Sequence, residues 1–128
     1  MSVPAVGPII IVDDDPFIVE ALGMVLGTWG YSVVSALSME ALETALTGLG
    51  TIPSLLITDH FLPGGRTGAE VLARVRAHSG AHIPAILLTG DGAPERVSEA
   101  ASAGFRLMIK PVAPAPLRVV VEELVLRG

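Results

Sequence analysis

The sequence contains no cysteine, which excludes a disulfide framework and a thiolate metal site. It also lacks long apolar runs: its apolar stretches span about four to six residues, whereas a membrane-spanning helix needs ~20. Basic residues number only eight against thirteen acidic ones, and they are scattered. Because binding nucleic-acid phosphates requires clustered Lys and Arg, direct nucleic-acid binding is not expected. The absence of cysteine suits a reducing interior, so we expect a cytoplasmic protein without a membrane segment.

The composition predicts one domain. The chain has 128 residues, 51% of them hydrophobic, and a mean hydropathy of +0.65, so it has enough apolar surface for a core that needs no covalent staples. Its first eight residues lack the basic segment of a signal peptide and include two prolines and one glycine. We therefore predict a flexible leader at residues 1–8 and one folded domain at residues 9–127.

A strand-then-helix pattern begins the predicted domain. The β-branched run Ile9–Val12 is typical of a strand covered on both faces. Pro16 suits the first turn of a helix, and apolar residues then recur at helical spacing. The same pattern occurs four more times. It predicts strands at 31–35, 55–58, 85–88 and 106–109, and helices after Ser38, around Val71, from Pro94 and from Pro114. The helix from Pro94 is predicted to carry Val97, Ala100 and Ala101 on one side.

Five such units predict an α/β protein: a doubly wound, five-stranded parallel sheet with helices on both faces, joined by right-handed crossovers. Of the two common strand orders, five strands fit 2-1-3-4-5, the flavodoxin-like order. Strands one and three are then neighbours at the switch point, where ligands bind beyond the carboxyl ends of the strands. The predicted fold therefore locates a site before any residue is assigned to it.

Polar residues stand where these strands end. Asp13 and Asp14 follow strand one and Asp59 follows strand three, so three carboxylates should share one crevice and repel one another. Mg²⁺ would relieve that repulsion, because it takes oxygen ligands and leaves room for a phosphate. We expect Asp14 and Asp59 as direct ligands and Asp13 as a ligand through water. Thr89 and Lys110 end strands four and five, which completes the donor set of a phosphoryl-transfer site.

These motifs resemble the receiver domain of two-component response regulators, of the chemotaxis-regulator type, over residues 9–126. The resemblance implies that Asp59 accepts a phosphoryl group from a histidine kinase or a histidine phosphotransfer domain. It also implies that Mg²⁺ is held by Asp13, Asp14, Asp59 and the backbone carbonyl of Phe61. The motifs that carry it are Val12-Asp13-Asp14-Asp15, Asp59 with Leu62-Pro63 and Gly68, Thr89-Gly90, and Lys110-Pro111.

Further expectations come with the resemblance. Thr89 and Lys110 would contact phosphoryl oxygens, and the peptide bond between Lys110 and Pro111 would be cis. Such a domain is a phosphoacceptor that assists its own phosphorylation and dephosphorylation, not an enzyme in the usual sense. A weak homodimer is an additional predicted association. The segments 62–68 and 110–118 are similar to those of receivers at the C-terminus of hybrid sensor kinases.

The sequence departs from the family pattern at several positions. Leu107 stands where the family usually has Tyr or Phe, so a conformational switch through that ring is not available in the same form. Phe61 and Asp91, two residues after Asp59 and Thr89, are predicted to overlook the phosphoryl group. We hypothesise that Phe61 hinders the attacking water and lengthens the life of the phosphorylated state. The loop at 64–68 is about one residue longer than usual, and its glycines predict mobility.

Other interpretations of the same residues remain open at this point. Asp13, Asp14 and Asp15 could simply cap a helix. The domain could also be an unphosphorylated protein-interaction module with a receiver fold. A phosphatase of the haloacid dehalogenase type would use Asp13, Asp15, Thr89 and Lys110, but the acidic pair that this family needs after the lysine is absent. We interpret His60, His78 and His82 as surface residues, and Trp29 and Tyr31 as packing residues away from the site.

Overall fold

A computed structural model of the protein describes residues 6–90 and 92–127. Strands and helices alternate along the chain, as the sequence pattern predicts. The strands are β1 (Ile9–Val12), β2 (Val33–Ala36), β3 (Leu55–Asp59), β4 (Ala85–Thr89) and β5 (Phe105–Ile109). The helices are α1 (Pro16–Thr28), α2 (Met39–Thr47), α3 (Gly68–Ser79), α4 (Pro94–Ser102) and α5 (Pro114–Arg127).

The five strands form one parallel sheet in the order β2-β1-β3-β4-β5. The predicted doubly wound, flavodoxin-like order is confirmed. β1 lies between β2 and β3, with Ile9 opposite both Val33 and Leu55. The carboxyl ends of β1 and β3 are therefore adjacent, with Val12 opposite Thr58. The carboxylates that follow these strands are brought to one edge of the sheet.

Alternate residues of each strand face two helical layers. Ile9 and Ile11 of β1 pack with α1 and α5, whereas Ile10 and Val12 pack with α2, α3 and α4. All four are fully buried, which explains the continuous β-branched run. Trp29 and Tyr31 pack against the α1–α5 layer, so their predicted packing role is confirmed. No helix within residues 6–90 and 92–127 is long and apolar enough to cross a membrane.

Two details of the predicted elements are wrong. β2 was expected from residue 31 but begins at Val33, because the chain turns through Gly30 (φ 95°) and the Tyr31 N–H closes the end of α1 on Leu26. Helix α4 was expected to turn Val97, Ala100 and Ala101 inward. Only Ala100 is buried, and Val97 is 47% exposed. The sheet is therefore thinly covered by α4.

A hairpin follows β3 where the sequence predicts a mobile loop. Phe61–Leu62 pairs antiparallel with Arg66–Thr67, and a short 3₁₀ turn joins the two segments. Gly64 and Gly65 have φ of 77° and 75°, a backbone conformation that favours glycine. Residues 63–65 therefore form the turn of a short hairpin.

Part of the predicted leader contacts the domain. The Ser54 hydroxyl donates a hydrogen bond to the Gly7 carbonyl at 2.7 Å, and the Ser54 N–H donates to the Pro8 carbonyl at 3.0 Å. Pro8 is buried. These two residues therefore extend the contact between β1 and β3 beyond the first residues of both strands. Residues 1–5 of the predicted leader lie outside the described part of the chain.

Candidate functional site

Two of the predicted site carboxylates converge on one ammonium group. Lys110, the only lysine in the sequence, places its Nζ 3.0 Å from Asp13 Oδ2 and 3.2 Å from Asp59 Oδ1. β1, β3 and β5 supply these groups, since each residue lies at or just beyond the carboxyl end of its strand. The Lys110 N–H donates to the Thr89 carbonyl at 2.8 Å, which fixes the backbone of Lys110 relative to the end of β4. Asp14 joins the cluster, with one oxygen of each of the three carboxylates within 4.8 Å of the others.

Burial and contacts between opposite charges shift the pKa values of Asp13 and Lys110. Asp13 is fully buried, and the loss of solvation raises the pKa of its carboxyl despite the opposing effects of the Asp15 N–H and the Lys110 ammonium. Burial would lower the pKa of Lys110, but contacts with the carboxylates of Asp13 and Asp59 outweigh it, and the net shift is upward. The lysine is therefore cationic at neutral pH, whereas ionisation of the buried Asp13 carboxyl is unfavourable in free energy.

The acidic run divides into two roles. Asp15 is the N-cap of α1, and its Oδ1 accepts a hydrogen bond from the Phe17 N–H at 2.9 Å. Asp13 faces the sheet edge, and its Oδ1 accepts the Asp15 N–H at 3.0 Å. Asp14 is exposed between them. Capping thus accounts for one of the three aspartates and leaves the other two for the site.

Asp59 is oriented by its neighbour in sequence. The His60 N–H is shared between Asp59 Oδ1 at 2.8 Å and the Leu88 carbonyl at 3.0 Å. The His60 carbonyl accepts the Gly68 N–H at 3.0 Å, which ties the start of α3 to the end of β3. His60 is partly exposed, and His78 and His82 are exposed, as predicted for surface residues. The role of His60 could not be predicted from its residue type, because the group that binds the Asp59 carboxylate is its backbone N–H.

Gly68 allows α3 to approach this edge. A Cβ at position 68 would lie 2.6 Å from Leu87 Cδ1 and 2.8 Å from the Asp59 carbonyl oxygen. Both distances are shorter than a real carbon contact permits. The family motif includes this glycine, and the structure supplies the reason: any side chain there would push against the backbone of Asp59.

We expect Gly68→Ala to lower the free energy of unfolding by about 2 kcal/mol through overpacking. Urea denaturation would measure the effect. Gly27→Ala is the matched control, because a Cβ at position 27 of α1 would meet nothing within 4 Å. That control should gain about 0.5–1 kcal/mol from helix propensity. Equal effects of the two substitutions would contradict the packing role of Gly68.

The remaining predicted positions lie around this cluster. Thr89 is 6% exposed and Leu107 is partly buried, and both line one cavity beside β4. The ring of Phe61 is 64% exposed and stacks on His60, with 4.1 Å between ring centroids. The peptide bond between Lys110 and Pro111 is cis, as expected. Asp91, the other residue predicted to overlook the site, lies outside the described residues.

The donor set fits a hard divalent cation. Asp13 Oδ2 is buried and accepts no hydrogen bond within the described part of the chain, and its close partner is the Lys110 ammonium. Three carboxylates face one ammonium, so the described cluster carries excess negative charge when all are ionised. All of the available donors are oxygens, the ligand type that Mg²⁺ prefers. The residues present therefore fit Mg²⁺.

A model of the response regulator receiver domain family matches residues 9–122 of the chain. The chain belongs to this family. This match confirms the predicted family and decides, at that level, against the dehalogenase-type alternative. Receiver domains of this family are phosphoacceptors and typically bind Mg²⁺ at an acidic pocket.

Individual relatives agree with this assignment. The receiver domain is 31% identical over 110 residues to the two-component response regulator ORR6 of Oryza sativa subsp. japonica, covering 84% of this chain and 64% of that relative. It is similar in structure to the chemotaxis response regulator CheY4 of Vibrio cholerae, with a TM-score of 0.77, 26% identity and coverage of 94% and 99%. It is also similar to the signal receiver domain of a signal transduction histidine kinase from Syntrophus aciditrophicus, with a TM-score of 0.76, 27% identity and coverage of 94% and 91%.

Proposed function

We propose that this receiver domain accepts a phosphoryl group on Asp59 in a two-component or phosphorelay system. The observation that carries the proposal is the convergence of Asp13, Asp59 and Lys110 at 3.0–3.2 Å on the switch-point edge of the sheet. Asp13, Asp14, Asp59 and the backbone carbonyl of Phe61 would hold Mg²⁺. When bound, the metal would neutralise charge on the carboxylates and on the phosphoryl oxygens.

The chemistry is a phosphoryl transfer between two carriers. Asp59 Oδ1 is held by the His60 N–H and the Lys110 ammonium, and we assign the attack on phosphorus to Oδ2. The bond from phosphorus to the imidazole nitrogen of the donor breaks, and its electron pair leaves with the imidazole, which then takes up a proton. Asp59 becomes an acyl phosphate. Lys110 and the Thr89 hydroxyl would then donate to the phosphoryl oxygens.

The donor is inferred from membership of the receiver family. A histidine kinase or a histidine phosphotransfer domain presents a phosphohistidine whose P–N bond is broken in the transfer. We propose such a protein as the partner, with a weak homodimer as a second association and the cytoplasm as the compartment. Origin in a hybrid sensor kinase remains a prediction, and the similarity to the receiver domain of a histidine kinase supports it.

We expect incubation with Mg²⁺ and acetyl phosphate to add the mass of one phosphoryl group, and Asp59→Asn to abolish the addition. Intact-mass spectrometry would measure both. Asp15→Asn is the matched control: asparagine also caps helices, so labelling should persist. Absence of labelling in the unmodified protein would overturn the proposal and favour an unphosphorylated interaction module. Turnover of a phosphoester that requires Asp13 and Asp15 would favour a phosphatase.

We expect Phe61→Asn to speed loss of the phosphoryl group roughly tenfold, which corresponds to about 1.4 kcal/mol in activation free energy. We expect the Phe61 ring, which stacks on His60 next to Asp59, to restrict the approach of water, whereas asparagine would offer the water a hydrogen bond. The decay of labelled protein after removal of acetyl phosphate would measure the rate. Leu126→Asn, at an exposed position of α5, is the control. An unchanged decay rate in Phe61→Asn would rule out this role for the ring.

A further inference from the structure

A cavity of about 240 Å³ lies between helix α4 and the sheet. It exists because α4 covers β5 with small side chains. Ala100 is the one buried residue of that helix, and Val97 turns outward. On the sheet side Leu107 is only partly buried. Neither layer therefore fills the space between them.

The walls of the cavity are mostly apolar. Leu87 of β4 and Phe105 and Leu107 of β5 form the sheet side, and Ala100 and Ala103 form the helix side. Aromatic rings pack favourably against an aromatic side chain such as Phe105 in offset or edge-to-face geometry. A volume of this size also exceeds the roughly 150 Å³ apolar cavity that is known to bind benzene in another protein. The space suits one flat, apolar molecule.

The polar residues that line the cavity are His60, Thr67, Thr89, Arg96 and Glu99. Thr89 and His60 line it on the side of the site. Arg96 and Glu99 line it at the surface of α4 and form an ion pair with each other at 2.9 Å. Because these two opposite charges compensate each other, they do not favour a charged ligand in the cavity. One N–H or O–H group on a ligand would match the imidazole of His60.

We propose that this cavity binds a small neutral aromatic molecule of one or two rings that carries a single hydrogen-bonding group. The ligand would lie between α4 and β5 and contact Phe105 and Leu107. It would also contact Thr89, which is a member of the proposed phosphoryl site. Two ligands that contact one residue are energetically coupled if that residue changes its position, and such coupling is reciprocal.

Titration with indole, followed by the amide NMR spectrum, tests the proposal. We expect saturable shifts at Leu87, Phe105 and Leu107, with a dissociation constant on the order of 1 mM for a fragment of this size. Benzoate, which is charged, should bind at least tenfold more weakly. Shifts that fail to saturate, or that lie elsewhere on the protein, would overturn the proposal.

Two substitutions fill the cavity from opposite sides. Leu107→Phe fills it from the sheet and Ala103→Leu from the exposed end of α4, so the second serves if the first unfolds the domain. Each should weaken indole binding at least tenfold. Leu126→Phe, the same change on α5, should leave binding as it is. Unchanged affinity in a folded cavity-filling variant would contradict the assignment of the site.

The coupling to Thr89 rests on the proposed function and is tested separately. We expect the affinity for indole to change at least twofold when Mg²⁺ and acetyl phosphate are present. Equal affinities in labelled protein would exclude the coupling, while the cavity-filling variants alone decide whether the ligand site exists. A failure of labelling itself would count against the proposed function and not against the cavity.

Discussion

Lys110→Met is expected to slow the labelling of Asp59 by acetyl phosphate roughly 100-fold, the usual cost of removing one preorganised donor from a site of charge development. Nζ of Lys110 lies 3.2 Å from Asp59 Oδ1 and 3.0 Å from Asp13 Oδ2, so the ammonium would be in place before the phosphoryl group arrives. Methionine keeps an unbranched chain of similar length but carries no charge. The rate can be followed by intact mass at a fixed concentration of Mg²⁺.

The same substitution should destabilise the metal-free domain by about 2 kcal/mol, because it leaves the buried carboxylate of Asp13 without its cationic partner. Removing a cation there also leaves the carboxylates of Asp13 and Asp59 to repel each other. Urea denaturation in the presence of a chelator would measure the loss. A saturating concentration of Mg²⁺ should recover part of it, since the metal brings positive charge to the same oxygens.

Arg74→Met is the matched control for Lys110→Met. It removes the same unit of charge from an ion pair between Arg74 of α3 and Glu43 of α2, away from the site. A half-exposed pair of this kind contributes little to stability. Labelling of Arg74→Met should therefore stay within about twofold of the unmodified protein. If the two variants were labelled at the same rate, Lys110 would have no special role in the transfer.

The sheet order and the convergence of the site were predictable from the sequence for a physical reason. The β-branched run Ile9–Val12 requires burial on both faces, and five such units leave few arrangements of a parallel sheet. A polar residue stands at or directly after the end of four of the five strands, the exception being β2. Since parallel strands end at one edge, Asp13, Asp59 and Lys110 had to meet there.

What the sequence did not predict depends on contacts between distant segments. Val97 and Ala101 were predicted on the same side of α4 as Ala100, but the packing of α4 against β5 buries only Ala100. The reason for Gly68 required the position of the Asp59 carbonyl. The hydrogen bond from the Ser54 N–H to the Pro8 carbonyl joins two segments that are distant in the sequence and that precede β3 and β1. Gly64 and Gly65 indicated a glycine-rich loop, but the antiparallel pairing of the segments on either side of it was not predicted.

Asp13→Asn is expected to have the opposite effect on stability from Lys110→Met. Burial raises the pKa of the Asp13 carboxyl above its unfolded value. A carboxyl shifted in this direction favours the fold below its unfolded pKa, and that contribution is lost as the pH rises through the folded pKa. At pH 7 the ionised group therefore opposes folding in the metal-free domain. Asparagine has nearly the same size and no charge, so the melting temperature of the metal-free variant should rise by a few degrees.

Mg²⁺ should reverse this order. A ligand that binds only the folded state stabilises it by about 2.7 kcal/mol at one hundred times its dissociation constant. The unmodified domain should gain this stabilisation, and Asp13→Asn should lose most of it because one buried acidic ligand is missing. Thermal unfolding with a chelator and with MgCl₂ measures both states, and Asp15→Asn should respond to the metal as the unmodified domain does. A lower melting temperature of Asp13→Asn in the chelator, or an undiminished response to Mg²⁺, would contradict the assignment of Asp13 to the metal site.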